Sequence, residues 1–215
     1  MNFRTWCLCV LNRQRNLRRM LGRVPVLWQI DASIQNALYS VRLETLQRMP
    51  KGAECAEIGV WKGDFSADIL RITQPTSLHL VDPWALRPDY VPYQDEDVPE
   101  ATLIGERISE QVRERFRESR VVQVHRTTSK EFLQSLNESS LDWVYIDGDH
   151  SEAAVTEDLH LSWRVVRRRG WLAGDDYHWR DESERQTVKA AVDRFCTEFN
   201  VAKTVLGTQF IIQKP

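Results

Sequence analysis

Tyr145-Ile146-Asp147-Gly148-Asp149-His150 is the stretch on which the fold turns, read together with Gly174-Asp175-Asp176-Tyr177 further along the chain. Each acidic cluster closes an apolar run, Leu141 to Ile146 in one case and Trp171 to Ala173 in the other. Short apolar runs bounded by turn residues read as buried strands, and the residues between these two leave room for one crossover helix. Neighbouring strands of a parallel sheet end on the same edge, and ligands bind at that edge. Asp147, Asp175 and Asp176 are therefore expected to converge. Carboxylates brought together repel one another and lose hydration, so the cluster calls for a cation, a shared proton or a basic partner.

The same alternation runs from Glu54 to the C-terminus. Cys55 to Val60, Ser77 to Val81 and Val121 to Val124 are further strand-like runs. Phe65 to Ile72, Leu103 to Phe116, Ser129 to Leu136 and a segment through Val155, Leu159 and Trp163 carry helical spacing. Thr128 or Ser129 is the expected N-cap of the third of these. Arg168-Arg169-Gly170 reads as a helix-ending turn, with the fifth strand opening after it. A helix around Val188 to Phe199 follows, and Val201 to Leu206 and Gln209 to Gln213 flank Gly207-Thr208 as an antiparallel hairpin. Five βα units and a closing hairpin predict an α/β fold. Its sheet is Rossmann-like and doubly wound, with seven strands, mostly parallel, an antiparallel C-terminal hairpin and helices on both faces.

At 215 residues, with 42% hydrophobic and 28% charged, the chain has the composition of one ordinary soluble domain. A net charge of -2 gives no global attraction to nucleic acid or anionic membranes, and no nucleic-acid partner is expected. Cys7, Cys9, Cys55 and Cys196 show no metal or redox spacing and suit a reducing, cytoplasmic setting. Residues 1–50 read as a separate helical, basic segment ahead of a domain over residues 51–215. Its apolar stretch Trp6 to Leu11 is too short for a transmembrane span, and Arg13, Arg15, Arg18, Arg19 and Arg23 follow. A solvated helix face is favoured over a membrane or polyanion contact, and Trp6 and Trp28 offer a surface for a homo-oligomer. The Pro-rich stretch Pro83 to Glu100 leaves the second strand at the ligand edge, where a long loop is either a substrate wall or disordered. Trp84, Tyr90, Tyr93 and Trp179 are candidates to stack on a sugar or ring.

Glu57-Ile58-Gly59-Val60-Trp61-Lys62-Gly63 occupies the first strand-to-helix turn. Gly59 and Gly63 let the backbone approach a ligand, and the helix N-terminus beyond faces it with exposed N–H groups. Asp82 ends the adjacent strand at a separation near the roughly 20 residues expected of a ribose-binding acid. These residues, with Ser129, Gly170-Trp171-Leu172 and the two acidic clusters, resemble a class I S-adenosylmethionine-dependent methyltransferase. The likeness is to methyltransferase family 24 and the macrocin O-methyltransferase-like enzymes acting on sugars of natural products.

The resemblance covers Glu54 to the C-terminus and implies a role for each residue. Glu57, Gly59, Gly63 and Ser66 would line the cofactor, Asp82 the ribose, Ser129 the adenine. Asp147 would sit beside the methionine amino group and bind metal with Asp175 and Asp176. Trp61 departs from the usual glycine. All-oxygen ligands suit Mg²⁺ or Mn²⁺, which would lower the pKa of a small-molecule hydroxyl acceptor. Asp149 and His150 are the candidate bases, His150 favoured because imidazole titrates near neutrality. An NAD-dependent sugar-modifying enzyme is disfavoured, since neither Gly-x-Gly-x-x-Gly nor Tyr-x-x-x-Lys is present. A catalytically inactive cofactor-binding protein is disfavoured by the intact carboxylates.

Overall fold

The computed structural model describes residues 38–85 and 101–215, and in it the strand-like runs join into one sheet. The strands are β1 (Glu54–Ile58), β2 (Ser77–Val81), β3 (Val122–His125), β4 (Leu141–Ile146), β5 (Val166–Gly174), β6 (Lys203–Leu206) and β7 (Gln209–Gln213). The helices are α1 over residues 38–48, α2 (Asp64–Thr73), α3 (Ala101–Phe116), α4 (Ser129–Ser135), α5 (Glu152–Val165) and α6 (Thr187–Glu198). In space the strands run β3-β2-β1-β4-β5-β7-β6. β1 to β5 pair in parallel, and β7 is antiparallel to both β5 and β6. The chain winds outward from β1 to β3 and then returns to lay β4 beside β1. A crevice at such a reversal is where doubly wound sheets bind ligands.

Strand alternation divides the core into two. On β4, Trp143 and Tyr145 face Phe65 and Ile69 of α2, Val112 and Phe116 of α3, and Leu46 of α1. Val144 and Ile146 face Phe132 and Leu133 of α4, Val155 and Leu159 of α5, and Val192 and Phe195 of α6. Both faces of a parallel sheet are covered, so β4 reads as an almost unbroken apolar run. Cys55 and Cys196 are buried thiols, as their apolar surroundings imply. Thr128 caps α4 in a full capping box, its hydroxyl accepting from Glu131 N–H while the Glu131 carboxylate accepts from the Thr128 N–H.

Two expectations are corrected. Arg168-Arg169-Gly170 is not a helix-ending turn, because α5 passes directly into β5 and the strand already contains these residues. The ladder with β4 shifts register across them, from Leu141 opposite Val166 to Trp143 opposite Trp171, and the Arg167 guanidinium pairs with Glu54 and with Asp142. Gly170 is needed for close approach, since a Cβ there would meet the Asp142 carbonyl oxygen and the Val166 side chain. Trp84 does not stand at a substrate wall. It is 1% exposed, with its indole N–H donating to the Trp61 carbonyl at 2.8 Å. Trp6 to Leu11, Cys7, Cys9, the arginines from Arg13 to Arg23, Trp28, Tyr90 and Tyr93 lie outside the described residues.

Candidate active site

Sheet register lines up the chemistry. Ile58 pairs with Val81 and with Ile146, and Ile146 pairs with Gly174. The next residue on each strand is Gly59, Asp82, Asp147 and Asp175. Backbone bonds extend the ladder one step further, from Asp147 N–H to Ile58 O at 2.8 Å and from Asp175 N–H to Ile146 O at 3.1 Å. Asp147, Asp175 and Asp176 therefore do converge beside the glycine turn.

Gly59 has φ 87, and a Cβ on it would run into the Asp147 carbonyl, so only glycine lets the turn cross this close to β4. Gly63 is the N-cap of α2 with φ 74. Asp82 holds the turn in shape. Its Oδ2 accepts from Val60 N–H and Trp61 N–H, both at 2.9 Å, and its Oδ1 accepts from Trp84 N–H at 2.7 Å. A carboxylate has about four acceptor sites, so room remains on Oδ1 for one further donor. Glu57 lies beneath the turn, 1% exposed, and accepts from the hydroxyl of buried Ser66. Burial pushes its carboxyl up to about 8, with Ser66 and Arg42 pulling it back only in part. Ser129 starts α4 and its side chain bonds Asp158, a buried acid of α5 that burial raises to about 6.

The acidic cluster has a basic partner that the sequence did not disclose. Arg42 of α1 pairs through Nη2 with Asp147 and lies through Nε 3.2 Å from Asp175 Oδ2. Its Nε also donates to the Tyr145 hydroxyl at 3.2 Å, and its guanidinium stacks over Phe65 at 4.3 Å. The other Asp175 oxygen, Oδ1, accepts from Asp176 N–H, Thr208 Oγ1 and Gln209 Nε2. Thr208 and Gln209 come from the β6–β7 hairpin, whose turn thus reaches the site.

On the other side stand Asp147, His150 and Asp176, each offering a ligand atom within 4.8 Å of the others. His150 Nε2 is buried, 3.2 Å from Asp176 Oδ2 and 3.8 Å from Asp147 Oδ1. Burial alone would lower the imidazole pKa, but the surrounding carboxylates outweigh it and raise it. Asp176 sits in left-handed backbone, φ 57, and burial with the Asp175 and Asp147 charges raises its carboxyl to about 7. Trp179 packs its ring 4.7 Å from His150. Asp149 is exposed, and its Oδ1 accepts from Ser151 N–H at 2.7 Å, just ahead of α5.

The model of methyltransferase family 24, described as a methyltransferase domain, matches residues 56–177. The chain belongs to that family. This methyltransferase has the class I, S-adenosylmethionine-dependent architecture. A solved Corynebacterium glutamicum protein is 17% identical, with a TM-score of 0.58 over 82% of this chain and 80% of that one. A putative methyltransferase of Streptococcus mutans, solved in complex with SAH, is 14% identical with a TM-score of 0.55 over 82% and 97%. An O-methyltransferase family protein of Burkholderia thailandensis is 11% identical with a TM-score of 0.52 over 82% and 56%. No curated protein sequence matches the methyltransferase. Among its described residues no helix is long and apolar enough to cross a membrane.

Proposed function

We propose that this methyltransferase moves the methyl group of S-adenosylmethionine to a hydroxyl of a small molecule, sugar or natural-product-like, with help from a divalent cation. The observation that carries the reading is the cluster of Asp147, His150 and Asp176 beside the glycine turn. Glu57, Gly59, Gly63, Ser66, Asp82, Ser129 and Asp147 would line the cofactor. The acceptor oxygen attacks the methyl carbon in line as the sulfur leaves with its bonding pair, so proximity and a deprotonated oxygen are what the protein must supply.

The donor set fits a cation: ligand oxygens of Asp147 and Asp176 lie within 4.8 Å of one another beside Asp175. Mg²⁺ or Mn²⁺ held by Asp147 and Asp176 would stabilise charge on the acceptor oxygen. Asp175 is the weaker ligand of the three expected acids, because Arg42, Thr208, Gln209 and the Asp176 N–H already engage it. His150 takes up the acceptor's proton, its Nε2 lying 3.2 Å from Asp176 Oδ2. Trp179 packs against the imidazole, and the Thr187 hydroxyl, which donates to the His150 carbonyl at 2.6 Å, fixes the backbone there. Asp149, bonded to Ser151 N–H, serves the turn before α5 in this reading.

Arg42 of α1 would complete the site of the 51–215 domain, and residues 1–50 would take oligomer contacts as a further role. The free thiols of Cys55 and Cys196 suit a reducing cytosol. The test is methyl transfer from S-adenosylmethionine to a panel of sugars, phenols and amines, with Mg²⁺ and with excess EDTA. Hydroxyl acceptors should turn over, chelation should slow them, and Asp176→Asn should lose most of the turnover. Turnover of amines alone, or unchanged turnover in Asp176→Asn, overturns the reading.

A further inference from the structure

Arg42 lies outside the stretch that the family model matches, residues 56–177, yet its guanidinium ends at the crevice. Packing fixes its helix there. Thr45 and Leu46 of α1 are buried, the Tyr39 hydroxyl bonds Asp68 of α2, and a Cβ on Gly207 of the hairpin would lie 3.2 Å from the Val41 side chain. The guanidinium itself rests over the Phe65 ring, 4.3 Å from its centroid. Its Nε lies 3.2 Å from both the Tyr145 hydroxyl and Asp175 Oδ2. Nη2 pairs with Asp147 Oδ2. Nη1 makes no hydrogen bond to any described residue, so part of a five-donor fork stands open on a side chain that is 21% exposed.

Asp147 divides the crevice. Its Oδ2 faces Arg42 over Phe65 of α2, and its Oδ1 faces His150. The glycine turn leads into α2, so the Arg42 side is the one on which that turn would receive the cofactor. The methionine end of S-adenosylmethionine carries an ammonium and a carboxylate on one carbon. A guanidinium and a carboxylate paired with each other offer the complementary charges. We propose that Arg42 anchors the cofactor's carboxylate: the ammonium takes Asp147 Oδ2, and Nη1 and Nη2 close as a fork on the carboxylate. This rests on the cofactor reading above, in which Asp147 lines the cofactor. One ion pair is exchanged for two, while Nε stays with Tyr145 and Asp175, so the fork is in position before the cofactor arrives. A bidentate guanidinium–carboxylate pair is planar and directional, which an ammonium side chain does not reproduce. Arg42 therefore separates S-adenosylmethionine from its decarboxylated form, which keeps the sulfonium, the nucleoside and the amine.

The experiment is calorimetric titration of the full chain, in excess EDTA, with S-adenosylmethionine and with its decarboxylated form, for the natural protein, Arg42→Gln and Arg42→Lys. Hydrogen bonds to charged groups are worth roughly tenfold to a hundredfold in affinity, so the natural protein prefers the intact cofactor by about tenfold or more. Arg42→Gln also frees Asp147, which alters the affinity for both ligands through the amine they share. The ratio of the two affinities cancels that effect and is the quantity to read. In Arg42→Gln it falls to about a third of the natural value or less. A natural protein whose ratio is below about tenfold overturns the proposal, as does a folded Arg42→Gln protein that keeps more than about a third of the natural ratio. Should Arg42→Gln not fold, Arg42→Lys decides: a ratio lowered about threefold or more supports the fork, and a smaller change overturns it. Absence of S-adenosylmethionine binding by the natural protein overturns the cofactor reading and this proposal with it, whereas binding without the expected ratios overturns the proposal alone.

Discussion

Glu57 gives the sharpest consequence of burial in this fold. Its carboxyl is 1% exposed and is pushed from its ordinary 4.5 to about 8, chiefly by burial, with Asp147 and Asp82 adding to the effect. Between those two values the folded protein holds a proton that the unfolded chain has released. Stability must therefore be fully present below about pH 4.5 and be lost as pH rises towards 8. The slope approaches about 1.4 kcal/mol per pH unit, and the whole span is worth several kcal/mol, roughly 5 at most. Glu57→Gln keeps the shape and an acceptor oxygen for the Ser66 hydroxyl but does not titrate. Urea unfolding of both proteins across about pH 5 to about pH 9 isolates the effect, since all other groups are shared. The variant should gain on the natural protein by several kcal/mol over that range, most of it before about pH 8. A difference that stays constant within about 1 kcal/mol would refute a buried, proton-bearing Glu57.

Two further outcomes follow from local geometry. Gly59→Ala places a methyl group against the Asp147 carbonyl at φ 87 and should eliminate cofactor binding in calorimetry while lowering the melting temperature; wild-type affinity would contradict the turn as drawn. Thr128→Ala removes one half of the capping box of α4 and should lower unfolding stability by about 1 kcal/mol with turnover unaffected, checked by urea titration and by initial rates.

The sequence made β4 legible because a strand buried on both faces is apolar throughout, and Leu141–Ile146 is bounded as expected. The hairpin was equally plain, since Gly207, at φ 55, marks its turn. β5 was misplaced at its start because Arg167 to Arg169 look like the basic end of a helix, and the irregular β4–β5 register there, with Arg167 pairing to Glu54 and Asp142, leaves no mark in the local sequence. Trp84 looked like a wall residue for the same reason: its burial depends on α3, where Gly105 leaves the backbone space that the Trp84 carbonyl occupies. Arg42 left no local trace. It meets Asp147 across 105 positions of sequence, and the one hint was that clustered carboxylates require a positive partner. Thr208 and Gln209 were hidden likewise, being ordinary hairpin residues until the antiparallel pairing of Phe210 with Gly174 brings them to Asp175.

The central claim, an S-adenosylmethionine site at the β1–β4 crevice, is tested most directly by calorimetric titration of the full chain with S-adenosylmethionine, in Mg²⁺ and again in excess EDTA. The account predicts one site per chain with micromolar affinity, lost in Gly59→Ala. Absence of binding by the natural protein in both conditions would contradict it.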